Sequence, residues 1–110
     1  MALYTTKTLL LLAAIYAGGN ASTLPKANEY SSPDCTGALN YGHHSAFLTN
    51  VNMDATSHSV YLATPDDTYE WVAWSGANCG GTKWGALPNE CNNLDRAVAG
   101  RITCVSLTQK

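Results

Sequence analysis

Over most of the chain the apolar positions recur every second residue, in short runs separated by turn residues, which is the period of half-buried strands rather than helices. Ser45 to Met53 places Phe47, Thr49, Val51 and Met53 on one face. His58-Ser59-Val60-Tyr61-Leu62-Ala63 predicts a second strand, ended by the turn residues Thr64-Pro65-Asp66-Asp67. Tyr69 to Ser75 predicts a third, with Tyr69, Trp71 and Ala73 on one side and Glu70, Val72 and Trp74 on the other. Lys83 to Leu87 predicts a fourth strand and Gly100 to Leu107 a fifth, while Asn92 to Val98 suits one short helical turn. Regularly spaced short strands with Gly and Asn turns imply an all-β fold, a small sandwich or barrel.

The N-terminal pattern differs. Lys7 precedes the apolar run Leu9 to Tyr16, and Gly18-Gly19-Asn20-Ala21 follows, the three-part layout of a secretory signal. The run is far shorter than the roughly 20 apolar residues a spanning helix needs. Cleavage is expected after Ala21, with Ala17 the next choice. Residues 22–34, rich in Ser, Pro, Asn and charge, read as a flexible lead-in, and residues 35–110 as a single β domain.

Composition narrows the picture. The chain has 110 residues, 45% hydrophobic and 13% charged, with a formal charge of -2. That is too apolar for a disordered tail and too poor in Lys and Arg for a binder that works by neutralising phosphates, so no DNA partner is expected. Removal of the signal leaves about 89 residues, a size at which core burial is marginal. All four cysteines, Cys35, Cys79, Cys91 and Cys104, lie in that part, and an even set in a small exported domain implies two bridges. Three pairings are formally possible; Cys79–Cys91 across the Gly- and Asn-rich loop, with Cys35–Cys104 tying the start of the domain to its last strand, is the expected one. No Cys-x-x-Cys pair or His spacing suggests zinc, and neither metal nor cofactor is expected.

Several segments resemble small secreted proteins of filamentous ascomycete fungi that are treated as candidate effectors. These are Asn40-Tyr41-Gly42-His43-His44, Val51 to Leu62, Trp74-Ser75-Gly76-Ala77-Asn78-Cys79 and Gly100 to Val105. Trp74 to Gly81 followed by Arg101-Ile102-Thr103-Cys104-Val105 is similar to one Greek-key motif of the β/γ-crystallin type, with Ser57 to Leu62 as the matching end of a first motif. That resemblance implies a Greek-key β-sandwich. Some members of that fold family bind calcium through paired Asn or Asp residues shortly before Ser or Thr. Here Asn52-Met53-Asp54-Ala55-Thr56-Ser57 and Asn92-Asn93-Leu94-Asp95-Arg96-Ala97 each lack part of the oxygen set.

The candidate chemistry is of two kinds. Tyr41, His43, Glu70 and Arg96 occur in an order that resembles small secreted fungal ribonucleases, in which a carboxylate, imidazole and guanidinium cleave RNA. Cys104 stands where such an enzyme would carry its second His, so the implied protein is an active or a catalytically dead ribonuclease-like one, with His43, Glu70 and Arg96 as its catalytic candidates. The other kind is recognition. Trp71 and Trp74 fall on opposite faces of one strand, so Trp74, Trp84 and the His43-His44 pair are the candidate binding residues. The favoured reading is a secreted, extracellular, monomeric, non-enzymatic effector or elicitor with a virulence role, recognising a host or competitor protein or a cell-wall glycan. A killer-toxin-like antimicrobial is a further alternative. Stable membrane insertion is not expected, and the acidic balance argues against a cationic membrane-disrupting toxin.

Overall fold

A computed structural model describes residues 24–96 and 100–110. The expected signal segment and the cleavage site after Ala21 lie outside the described residues. Among the described residues there are ten strands: β1 (Lys26–Tyr30), β2 (Leu39–Tyr41), β3 (Asn50–Asn52), β4 (Ser59–Ala63), β5 (Tyr69–Trp74), β6 (Lys83–Leu87), β7 (Cys91–Asn93), β8 (Asp95–Arg96), β9 (Gly100–Arg101) and β10 (Cys104–Gln109). One 3-10 turn, Ala77–Cys79, is the sole helical element among the described residues.

The fold is all-β and disulfide-bonded. Two antiparallel four-stranded sheets run β2-β1-β4-β7 and β3-β10-β5-β6, with β8 and β9 as a separate ribbon. They enclose one core, to which the first sheet contributes Ala27, Val60 and Leu62 and the second Val51, Trp71, Ala73 and Val105, with Met53, Leu94 and Ile102 closing the ends. Each sheet takes one strand from the other half of the chain: β7 joins the first sheet and β3 the second. The chain is thus two interlocked Greek-key units.

The two units repeat in sequence as well. Tyr30, Cys35 and Gly37 are each 44 residues before Trp74, Cys79 and Gly81. Register confirms the equivalence, since Tyr30 faces Ser59 as Trp74 faces Cys104, and Glu29 faces Val60 as Ala73 faces Val105. In both hairpins the Cys and Gly take positive φ, 59° and 80° at Cys35 and Gly37, 54° and 72° at Cys79 and Gly81. A side chain at Gly81 would meet the Ser75 hydroxyl, whereas at Gly37 the space is open.

Four expectations are corrected. Residues 22–34 are not a flexible lead-in over their described part: β1 is an inner strand of the first sheet, with Ala27 and Glu29 buried. Its inward alternation was hidden because one inward residue is a carboxylate. The bridges are Cys35–Cys91 and Cys79–Cys104, not Cys79–Cys91 and Cys35–Cys104. Strand exchange is the reason: Cys91 sits on β7 beside β4, where the Cys35 backbone donates to Ser59 Oγ, while Cys104 lies opposite Trp74 in the other sheet beside the Cys79 turn. The expected strand from Ser45 shrinks to β3, in which Val51 is buried; Met53, just after it, is buried too, and Phe47, before it, is 90% exposed. The helical turn expected from Asn92 to Val98 is replaced, over its described residues 92–96, by β7 and β8.

Candidate functional site

Alternation on β1 sends Glu29 into the sandwich, where it is 1% exposed. A buried carboxylate is tolerable only when its oxygens are bonded. Here three donors converge on it. Oε1 accepts from Ser57 Oγ and from the Asp54 backbone N–H, both at 2.7 Å, and Oε2 lies 2.6 Å from His43 Nε2. Ser57 in turn accepts from Asn40 Nδ2 at 2.9 Å. His43 is held from its other side, its backbone N–H donating to Asn28 Oδ1 and its carbonyl accepting from the Ala27 N–H.

This network backs an open pocket of about 300 Å³ lined by Glu29, Tyr41, His43, Asn52, Met53, Asp54 and Ala55. Tyr41, opposite Glu29 on the edge strand β2, is 49% exposed and forms an aromatic wall. The His43 side chain is 30% exposed. Asn52 is pinned to the 3-10 turn through a reciprocal pair of hydrogen bonds with Asn78, of 3.0 and 2.7 Å. Asp54 is folded into a tight Asp-x-Thr turn; the Thr56 hydroxyl and backbone N–H both donate to it and hold its carboxyl below the usual value. Beneath that loop the Arg101 guanidinium donates to the Ser57 and Asp54 carbonyls and lies 3.6 Å from Asp95. A fixed guanidinium is therefore bonded to the loop's main-chain oxygens, where the calcium resemblance would direct attention. Among the described residues no group of three or more His, Cys, Asp or Glu could hold a metal ion.

The other expected site residues are dispersed. His44 is exposed, and its backbone pairs with Lys26 in an isolated bridge. Glu70 lines a different groove with Tyr69, Ala86, Leu87, Pro88, Asn89 and Lys110. Arg96 lies over the Trp84 ring, 4.8 Å from its centroid. His43 is thus partnered by Glu29, and the set His43, Glu70 and Arg96 is spread over three surroundings. Both Trp candidates are engaged internally, since the Trp74 indole N–H donates to Ser106 Oγ at 2.9 Å and Trp84 is half-buried against the core. Glu29 was missed by sequence reasoning, and Asn52, Asp54 and Ser57 were picked out only as an incomplete calcium half-site and not as part of this pocket. The repeated aromatic-x4-Cys-x-Gly signature was the signal that would have found Glu29, because it places that residue level with Ala73 of the second unit. No helix among the described residues is long and apolar enough to cross a membrane. Comparison with family models, curated proteins and solved structures returned no match.

Proposed function

We propose that the chain is an exported recognition domain that binds a hydroxyl-rich ligand, a cell-wall glycan, at the Tyr41–His43 pocket. The observation that carries this reading is the combination there of a half-exposed aromatic wall with a fixed imidazole, an amide and two carboxylates. A sugar offers a C–H face to stack on a ring and hydroxyls to donate and accept, and this lining meets both needs. The pocket is the size of a single sugar ring with room to spare, so the end or one unit of an oligosaccharide is the natural occupant. The resemblance to small secreted fungal proteins makes an effector or elicitor role at a host or competitor surface the biological setting, and the two bridges suit an oxidising extracellular medium. Titration calorimetry against soluble chitin, β-glucan, mannan and xylan fragments tests it. One class is expected to bind with a Kd of about 1 mM or tighter, weakened about tenfold by Tyr41→Ala. Absence of binding by every fragment overturns the reading.

A second reading draws on one specific contact. An imidazole oriented by a buried carboxylate is the arrangement of a general base. A ribonuclease-like activity would then use His43 with Glu29 rather than Glu70. Incubation with RNA decides it: cleavage abolished by His43→Ala but not by Glu70→Gln favours this reading, and an intact substrate removes it.

A further inference from the structure

The two units build the same place in the sandwich from different chemistry. Glu29 is level with Ala73, as their facing residues Val60 and Val105 show. Two residues before Ser59 and Cys104 stand Ser57 and Ile102, both buried. His43, whose carbonyl accepts from the Ala27 N–H, corresponds to Leu87, which faces Trp71. The polar trio Glu29, Ser57 and His43 in one unit is therefore the apolar trio Ala73, Ile102 and Leu87 in the other, on the same backbone pairing. Even the Asp54 N–H that Glu29 accepts has a counterpart, because Asp95 N–H is taken at 2.8 Å by Asn93 Oδ1, and Asn52 stands at the corresponding position.

A buried polar network is commonly no more stabilising than an apolar set of similar shape, and the second unit demonstrates that this backbone accepts the apolar set. We infer that the Glu29–Ser57 network is built for the pocket and not for the fold, with Glu29 a positioning residue that fixes the tautomer of His43. A carboxylate oxygen at 2.6 Å requires the proton on Nε2. Nδ1, to which no described residue bonds, is then left as an acceptor on a side chain that lines the pocket. A ligand hydroxyl donates to it. Pockets selected only for shape would not need this; one that reads a donor hydroxyl does. This deepens the glycan reading and rests on it for the identity of the ligand alone.

Glu29→Gln separates the possibilities, because the amide oxygen keeps the bonds to Ser57 and Asp54 while the amide NH₂ now faces His43. Long-range nitrogen NMR is expected to show the Nε2–H tautomer in the parent and the Nδ1–H tautomer in Glu29→Gln. An Nδ1–H ring in the parent, or an unchanged ring in the variant, overturns the inference, whatever the pocket binds. The triple variant Glu29→Ala, Ser57→Ile, His43→Leu, which copies the second unit, is expected to fold and to unfold cooperatively, its midpoint lowered by no more than the loss of one acceptor, because the Asp54 N–H loses Glu29 while Asn52 Oδ1 stays on Asn78; loss of cooperative folding would mean that the network serves the fold and overturns the inference. With the fragment that binds the parent most tightly, Glu29→Gln is expected to lose about tenfold in affinity. Equal binding by parent and variant overturns the positioning role and leaves the glycan reading standing. Failure of all fragments to bind overturns the glycan reading and leaves the tautomer result to decide the inference.

Discussion

Glu29 shows how one side chain sets both the strength and the weakness of a site. Its two oxygens satisfy three donors from two segments, the loop between β3 and β4, which supplies Asp54 and Ser57, and the stretch after β2, which supplies His43. Removing the acceptor orphans all of them. Glu29→Leu is expected to destabilise by about 2–4 kcal/mol, read from urea unfolding, because each buried donor left unpaired carries its own desolvation cost. Asp66 makes a different contribution. Its carboxyl accepts from the Thr68 hydroxyl at 2.5 Å and backbone N–H at 2.8 Å, which lowers its pKa from the ordinary 3.8. A carboxyl whose folded value lies below its unfolded one adds stability above the unfolded value and loses it as the pH falls through the folded one. The thermal midpoint is therefore expected to drop below about pH 4, and to drop less steeply in Asp66→Asn.

The hairpin turns set the comparison between elements. Both units enter a left-handed backbone at a cysteine and a glycine, yet only Gly81 is crowded, by Ser75 and the Gly76 backbone. Gly37→Ala is expected to cost about 1–2 kcal/mol, the strain of a left-handed non-glycine residue, and Gly81→Ala clearly more, because the added methyl must displace the Ser75 hydroxyl that receives the Thr82 N–H at 2.7 Å. Thermal denaturation of the pair checks the order. Trp71 anchors the sandwich from within: it is fully buried in β5 and its indole N–H donates to the Ala63 carbonyl at 2.8 Å, so it ties the two sheets through both packing and a hydrogen bond. Period-two reading had placed Trp71 and Ala73 on one side, and the core receives them together. It failed on β1 because the buried positions of Pro25-Lys26-Ala27-Asn28-Glu29 are a proline, an alanine and a carboxylate, and a pattern of apolar positions cannot register a buried acid.

At the scale of the molecule, the bridges act on a small core of ten buried apolar residues among those described. In the chain-entropy picture, closing the 56-residue separation of Cys35–Cys91 contributes about 4 kcal/mol and the 25-residue separation of Cys79–Cys104 about 3.5 kcal/mol. Their sum is comparable with the stability of a typical domain, so reduction is expected to abolish cooperative unfolding at 37 °C, and peptide mapping of the unreduced protein is expected to join Cys35 to Cys91. That bridge crosses from the first unit to the second, and Cys79–Cys104 stays within the second. Interlocking is thus both covalent and topological: β7 and β3 are held in sheets formed mainly by the other unit.

Composition and local spacing determined the class of this protein, because alternation, turn residues and an even cysteine count each report on a few neighbouring residues. Tyr41 and His43 entered through a resemblance in their order along the chain, since their chemistry is visible without partners. The partner of His43 was decided only by tertiary structure, since Glu29 and Glu70 are equally carboxylates in sequence and only strand pairing places one of them 2.6 Å from the ring. Cysteine connectivity was decided in the same way. Sequence separation made Cys79 and Cys91 look adjacent, and the exchange of one strand between two sheets put them on opposite sides of the core.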